Sequence, residues 1–237
     1  MCLRCLRPTV MCWCDTLVQV PTATRVVILM HPHERRKAIG TGRMAALCIP
    51  DAQIHVGQKV AECPGLDRVL ADPERPAYLL FPGPAAVDVD TAPPAGPITL
   101  VVIDGTWAQA TRMVGHDPML QALPRVSLRP RAPSQYRIRR QPRRECLSTI
   151  EALSHVLGVL ERDPAGMERL LEPFRTMILR HLELREGRRV PRFQQRRAAK
   201  RAAAAGEAGE GQASATTSQA SSRVDTSALA ESRDTSP

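Results

Sequence analysis

The run Ile98-Thr99-Leu100-Val101-Val102-Ile103 narrows most sharply what this chain can become. Both of its alternating faces are apolar apart from Thr99, so a strand built from it must be covered on both sides. That is the situation of a central strand in a parallel sheet. Arg25-Val26-Val27-Ile28-Leu29-Met30 has the same character, and His31-Pro32 ends it because proline supplies no ladder donor. Gln53–Val56, Ala77–Phe81 and Arg125–Leu128 read as shorter strands, the second closed by Pro82-Gly83-Pro84. Helical patterns fall between and after them. Gly40 to Cys48 turns Met44, Ala45, Leu47 and Cys48 inward and is halted by Pro50, while Thr106 to Val114 forms another helix. Ser148 to Leu160 opens with Ser148 and Glu151 at capping-box spacing. Met167 to Glu186 carries the stripe Leu170, Leu171, Phe174, Ile178 and Leu182, with Pro173 expected to kink or break it. The Pro- and Ala-rich stretch Val87 to Pro97 reads as a loop. Strands alternating with helices predict an α/β fold whose mainly parallel sheet is flanked by helices. Ligands of such sheets bind at the carboxyl ends of the strands, where His31, Pro82 and Asp104 stand.

Length and composition bound the rest. A chain of 237 residues suits one domain plus extensions, and 43% hydrophobic residues suffice for a core that 3% aromatics make largely aliphatic. No run of about 18 apolar residues is present, so no transmembrane helix is expected. Met1 to Asp15 lacks an apolar h-region, which excludes a secretory signal there and places the seven cysteines, as reduced thiols, in the cytoplasm. The net charge of +9 and the pI of 9.8 favour an anionic partner without bearing on the fold. Arginine far outnumbers lysine, which a GC-rich coding sequence would also produce; the clustering of the arginines is a separate signal. Three regions result: a cysteine knuckle at 1–20, a catalytic domain at 21–186, and a tail at 187–237. The tail is basic at first and then too poor in large apolar groups to fold alone.

Cys2-x-x-Cys5 followed by Cys12-x-Cys14 brings together four soft donors, the number a tetrahedral zinc ion takes. Four ligands leave no open position, so zinc here would be structural; the alternative is four free thiols. His31 and His33 have no neighbouring cysteine and read as polar loop residues rather than a second metal site.

Val101-Val102-Ile103-Asp104-Gly105-Thr106-Trp107-Ala108-Gln109 carries the most chemistry. Gly105 permits a sharp turn, and Thr106 and Gln109 have capping-box spacing, so Asp104 stands at a strand's end beside a helix N-terminus. There a carboxylate can hold a charged ligand group or accept a proton. Equally, Asp104 can be a turn residue and Trp107 a core anchor. No Gly-x-Gly-x-x-Gly and no phosphate loop is present, so pattern alone identifies no cofactor.

Arg129, Arg131, Arg137, Arg139, Arg140, Arg143 and Arg144 crowd one segment around Tyr136, and no acidic residue interrupts them before Glu145. A second cluster runs from Arg185 to Arg201. Like charges so placed repel without counter-charges, which favours nucleic acid as partner over a merely solvated loop.

Taken in order, these motifs resemble the DTW-domain family of tRNA-uridine aminocarboxypropyltransferases. The resemblance rests on Cys2-x-x-Cys5…Cys12-x-Cys14, His31-Pro32-x-Glu34, Thr41-Gly42-Arg43, Phe81-Pro82-Gly83, Asp104-Gly105-Thr106-Trp107, Tyr136-x-x-Arg139 and Ser148-Thr149-Ile150-Glu151-Ala152. It covers roughly residues 1–185. It implies a 3-amino-3-carboxypropyl group moved from S-adenosylmethionine to N3 of a tRNA uridine, and a SPOUT-like fold with a C-terminal trefoil knot. It further implies that Thr41, Ser148, Thr149 and Glu151 lie at the donor's amino-acid end and that Pro82, Gly83 and Trp107 lie near its adenosine. Asp104 would act as base or hold the donor's amino group, and Arg137, Arg139, Arg140, Arg143 and Arg144 would grip tRNA. No pattern asks for a membrane or an obligate protein partner. Two other readings are an RNA methyltransferase of the same fold class and a non-catalytic zinc-containing RNA-binding protein.

Overall fold

The computed structural model describes residues 1–37, 39–138 and 146–187, which fall within one compact unit spanning Met1–Val190. At its centre lies β5 (Thr99–Asp104), buried at every position. It pairs in parallel with β1 (Arg25–Met30) on one side and β3 (Ala77–Leu80) on the other. β2 (Gln53–Val56) extends the sheet beyond β1, and β6 (Arg125–Ser127) extends it beyond β3. Outermost lies β4, a two-residue strand at Val87–Asp88 inside the stretch expected to be only loop. Its backbone completes the open edge of β6, a pairing that Pro- and Ala-rich composition does not advertise.

The strand order β2-β1-β5-β3-β6-β4 has a consequence for function. From β1 the chain moves outward to β2, then crosses to build the other half of the sheet, and β5 fills the gap between. Connections therefore leave the carboxyl ends of β1 and β3 in opposite directions, which opens a crevice over β5.

Strand alternation divides the apolar side chains between two layers. Val27, Leu29, Leu79, Val101 and Ile103 pack with Val60, Leu66, Ala110, Met113 and Leu120. Those partners come from α2 (Leu66–Leu70), α3 (Trp107–His116), α4 (Pro118–Ala122) and a one-turn 3-10 helix at Val60–Glu62. The opposite face of the sheet meets α1 (Thr41–Cys48) and α5 (Thr149–Leu160), backed by α6 (Pro164–Glu168) and α7 (Leu171–Arg185). Asp117 is a buried carboxylate wholly occupied by structure: it accepts from the amides of Val60, Met119 and Leu120, tying α4 to the distant 3-10 turn at Val60–Glu62.

Pro173 does not break its helix. It is the third residue of α7, where the missing N–H has no intrahelical partner to lose, and the interruption falls earlier, at Arg169-Leu170. Among the described residues no helix is long and apolar enough to cross a membrane.

Candidate functional site

Asp104 closes β5 at the crevice and is 5% exposed. Its carbonyl accepts the amide of His31 at 2.9 Å, so the ends of β1 and β5 are joined where both chains turn away. Its carboxylate rests directly on Gly42, where an added Cβ would lie 2.5 Å from Asp104 Cγ. From the other side Thr149 Oγ1 donates to Oδ1 at 2.7 Å. Gly42 belongs to the first turn of α1, and Thr149 is the first residue of α5. Two helix N-termini thus meet one carboxylate, each bringing the partial positive charge of its free amides.

Gly105 does not occupy the left-handed region. The reason for glycine is proximity: a Cβ there would meet the Gln109 side chain at 3.3 Å. That side chain is busy, since Gln109 Oε1 accepts the Thr106 amide at 2.7 Å while Thr106 Oγ1 accepts the Gln109 amide, the capping box expected from the spacing. The cap starts α3 at Trp107 and leaves the indole on the rim, 41% exposed. Trp107 is therefore not a core anchor. Its ring centroid lies 6.1 Å from that of Phe81, and the Arg125 guanidinium stands 5.8 Å above the far end of this pair, against Gly83.

Above the carboxyl ends of β3, β5 and β6 lies a cleft of about 740 Å³. Its floor is Ile103 and Gly105, the residues flanking Asp104; Phe81, Pro82 and Trp107 form one wall, and Ser148 and Thr149 belong to the other. The lining is mainly apolar with a few convergent polar groups, and the volume falls in the range of about 300–1,000 Å³ usual for small-molecule sites. The chain after β6, through Leu128 and Pro130, and the segment Cys146-Leu147 complete it. Sequence reasoning did not nominate these four. The strand-end rule that singled out Asp104 would have found the first two had it been applied to the short strand at Arg125.

Of the residues expected at the site, Pro82, Trp107, Ser148 and Thr149 line the cleft. Asp104 is not itself among the lining residues, but its neighbours Ile103 and Gly105 and its partner Thr149 are. Thr41 is buried at the start of α1, next to Gly42. Gly83 lies beyond the wall against Arg125, and Glu151 faces a different task. Its carboxylate accepts from the Ser148 amide and hydroxyl, the Gln135 amide and the Ser134 hydroxyl, at 2.6–2.8 Å. It pins the segment before Tyr136 to the first turn of α5. Tyr136 is buried; its hydroxyl donates to the Ile39 carbonyl at 2.6 Å and its ring meets Phe174 edge-on at 5.2 Å. Arg137 follows directly and is exposed. Arg139, Arg140, Arg143 and Arg144 lie outside the described residues.

Part of the arginine segment has the counter-charges its sequence lacks. Arg129 pairs with Asp88 at 3.2 Å and Arg131 with Asp90 at 2.7 Å, both acids coming from β4 and the turn after it. Burial works to raise the Asp90 carboxyl, but hydrogen bonds from Arg131 and His155 and their charges outweigh it and hold it below the usual range. His31 is driven the other way. Burial first, then the neighbouring His33, disfavours its cation, and Nδ1 accepts the His33 amide, which leaves a proton on Nε2.

At the N-terminus the four cysteine sulfurs all lie within 4.8 Å of one another, with Cys2–Cys14 and Cys5–Cys12 at 3.7 Å. Metal–sulfur bonds of about 2.3 Å in a tetrahedron require sulfurs about 3.8 Å apart, so the cluster fits a metal ion. The first pair sits on a turn closed by Leu6 N–H to Cys2 O, with Leu6 held at φ 57°. Backbone amides of Cys5 and Arg4 point at the Cys2 sulfur and bring its pKa down to about 6, partly opposed by burial. Burial pushes Cys12 up to about 11. A bidentate pair between Arg180 of α7 and Asp15 docks the cluster on the domain.

A DTW domain model matches residues 1–182. The chain is 35% identical over 190 residues to tRNA-uridine aminocarboxypropyltransferase 2 of Drosophila melanogaster, covering 77% of this chain and 75% of that protein. It is 32% identical over 185 residues to the protein of the same name from Macaca fascicularis, covering 74% of this chain but 61% of the relative's length. With tRNA-uridine aminocarboxypropyltransferase A of Arabidopsis thaliana it shares 27% identity over 206 residues, 72% of this chain and 76% of the other. No solved structure matches.

Proposed function

The chain belongs to the DTW domain family, and from that footing we propose that it transfers the 3-amino-3-carboxypropyl group of S-adenosylmethionine to N3 of a uridine in tRNA. One observation carries this reading into the molecule. A buried carboxylate, Asp104, is flanked in the chain by two residues of a cleft of suitable size, is hydrogen-bonded to a third, Thr149, and is seated on the start of α1. The bond N3–C forms, the C–S bond of the donor breaks, methylthioadenosine leaves, and the N3 proton must be taken up.

S-adenosylmethionine supplies a sulfonium with three carbons open to attack, so the product depends on which carbon is presented, an effect of orientation. Trp107, Phe81 and Pro82 offer flat apolar surface suited to an adenine, while the N-terminus of α5 at Ser148-Thr149 suits a carboxylate. Thr41 stands at the equivalent start of α1. Asp104 either accepts the N3 proton or holds the donor's ammonium, and Thr149 keeps its carboxylate oriented in both roles. Glu151 acts through the segment it holds, fixing the approach of Arg137; with Arg139, Arg140, Arg143 and Arg144 that segment supplies the cations for tRNA phosphates. The cysteine cluster holds structural zinc through Cys2, Cys5, Cys12 and Cys14. The fold is SPOUT-like with a C-terminal trefoil knot, a reading that rests on the family resemblance. Residues 1–20 form the knuckle, 21–186 the catalytic domain and 187–237 the basic tail, acting in the cytoplasm.

The test is Asp104→Asn, assayed with unmodified tRNA and S-adenosylmethionine by nucleoside mass spectrometry. Folding and tRNA binding should persist while product formation falls about 100-fold or more, the scale of a lost general base. Full activity would remove Asp104 from the mechanism. Recovery of S-adenosylhomocysteine in place of methylthioadenosine from the unaltered protein would instead make it a methyltransferase.

A further inference from the structure

Two buried nitrogen atoms on residues of the cysteine knuckle lack acceptors. Arg7 is 5% exposed, its Nε has no hydrogen-bond partner, and among the described residues its guanidinium meets no carboxylate. Trp13, between Cys12 and Cys14, is 1% exposed and its indole N–H is likewise unsatisfied. Leaving a buried cation and a buried N–H unpaired is costly, several kcal/mol for the former after relaxation, so both report that something negative belongs beside them. Among the described residues no acidic side chain pairs with Arg7. Arg7 is in the loop between the two cysteine pairs, its carbonyl accepts the Cys2 amide at 2.8 Å, and while burial works against its charge, Cys5 and then Tyr136 favour it.

Four thiolates around a divalent metal carry a net charge of −2, and in a buried setting that excess must be met by cations or N–H donors. We propose that Arg7 is the counter-cation of a tetrathiolate metal centre at Cys2, Cys5, Cys12 and Cys14. Arg7 then is a positioning residue for the metal and takes no part in group transfer. A nucleic-acid phosphate is excluded as its partner by burial, whereas Arg137 is exposed. The inference rests on the metal-binding reading of the four cysteines and goes beyond it by assigning the charge that makes the centre tenable. The half-buried His181 of α7 faces the same cation: burial first, then Arg7 and Arg185, lower its pKa.

The experiment uses the full chain purified with zinc. Zinc affinity is measured by competition with a chromophoric chelator, and thiolate reactivity by the rate of alkylation-driven zinc release, for wild type, Arg7→Met and Arg7→Lys. Arg7→Met keeps most of the stem volume and removes the charge; it should weaken zinc about 10- to 100-fold and speed alkylation, because uncompensated thiolates are better nucleophiles. Arg7→Lys keeps the charge and should stay near wild type in both. A packing role would give the reverse order, with the methionine variant the better of the two. Should Arg7→Met fail to fold, Arg7→Lys decides: retention of zinc affinity supports the assignment, and a loss of about tenfold overturns it. Wild-type affinity and alkylation rate in Arg7→Met also overturn it. If wild type binds no zinc at all, the metal reading itself falls, a result separable from the others.

Discussion

The closest fit in the site is between Asp104 and Gly42. A glycine in the first turn of a helix is ordinarily a weak choice, since it carries more conformational entropy than alanine. Here it is required, because any Cβ would enter the Asp104 carboxylate. Gly42→Ala should push that carboxylate off Thr149, lowering product formation about 100-fold, as small misplacements at a reacting group do, with about 1–3 kcal/mol lost in stability from overpacking. Urea unfolding and the tRNA assay would check both, and an alanine variant with native activity would show that Asp104 tolerates displacement. The motif Thr41-Gly42-Arg43 was visible in the sequence, as was the strand-end position of Asp104. Their contact was not, because nothing local relates a helix start to a strand that lies far along the chain. Gly105 teaches the converse: its place beside Asp104 was legible, but the reason for glycine is crowding by Gln109, not an unusual φ.

At the scale of elements, α5 shows one carboxylate serving both a helix and a loop. The Ser148–Glu151 capping box was readable from spacing alone. Only the folded chain adds the Ser134 hydroxyl and Gln135 amide to the same carboxylate, turning a cap into an anchor for the segment that carries Arg137. Glu151→Gln replaces an acceptor-only group with one that offers a single acceptor and two donors. It should cost about 1–3 kcal/mol for donors left unsatisfied, and it should raise amide exchange at 134–137 and weaken tRNA binding. Unchanged protection of those amides would mean that Tyr136 alone holds the segment. The neighbouring β4 carries a similar lesson. Its two-residue length made it invisible as a strand, yet it presents Asp88 and Asp90 to Arg129 and Arg131, so two arginines of a run that reads as uncompensated are paired. Their exposed geometry limits each pair to about 1 kcal/mol or less, and their effect is to fix one side of the cleft rather than to stabilise the whole.

For the molecule as a whole, one buried and two half-buried histidines set an acid limit on stability. Burial lowers His55 on β2 below the ordinary value of 6.5, and burial likewise leads the lowering of His31 and His181. The folded chain therefore binds these protons less tightly than the unfolded one. Their full contribution is present above the unfolded value, and it declines as pH falls through 6.5 toward the folded values. The urea midpoint of wild type should drop between about pH 7.5 and about pH 5.5, and His55→Gln should lessen that drop. A variant whose midpoint falls as steeply as wild type would show that His55 is not linked to folding.

The sequence by itself determined the periodicities and punctuation of this protein: two strands apolar on both faces, helices with their caps written at fixed offsets, four cysteines on tight turns. These are properties of neighbours along the chain, governed by backbone sterics and local hydrogen bonds, and they were enough to place chemistry at the carboxyl end of the central strand. Only the tertiary structure decided the strand order that opens a crevice over β5, the seating of Asp104 between two helix starts, the pairing of β4 with arginines, and the burial of Arg7. Each of those depends on segments meeting across the fold, where shape and charge are matched between partners that no spacing in the chain connects.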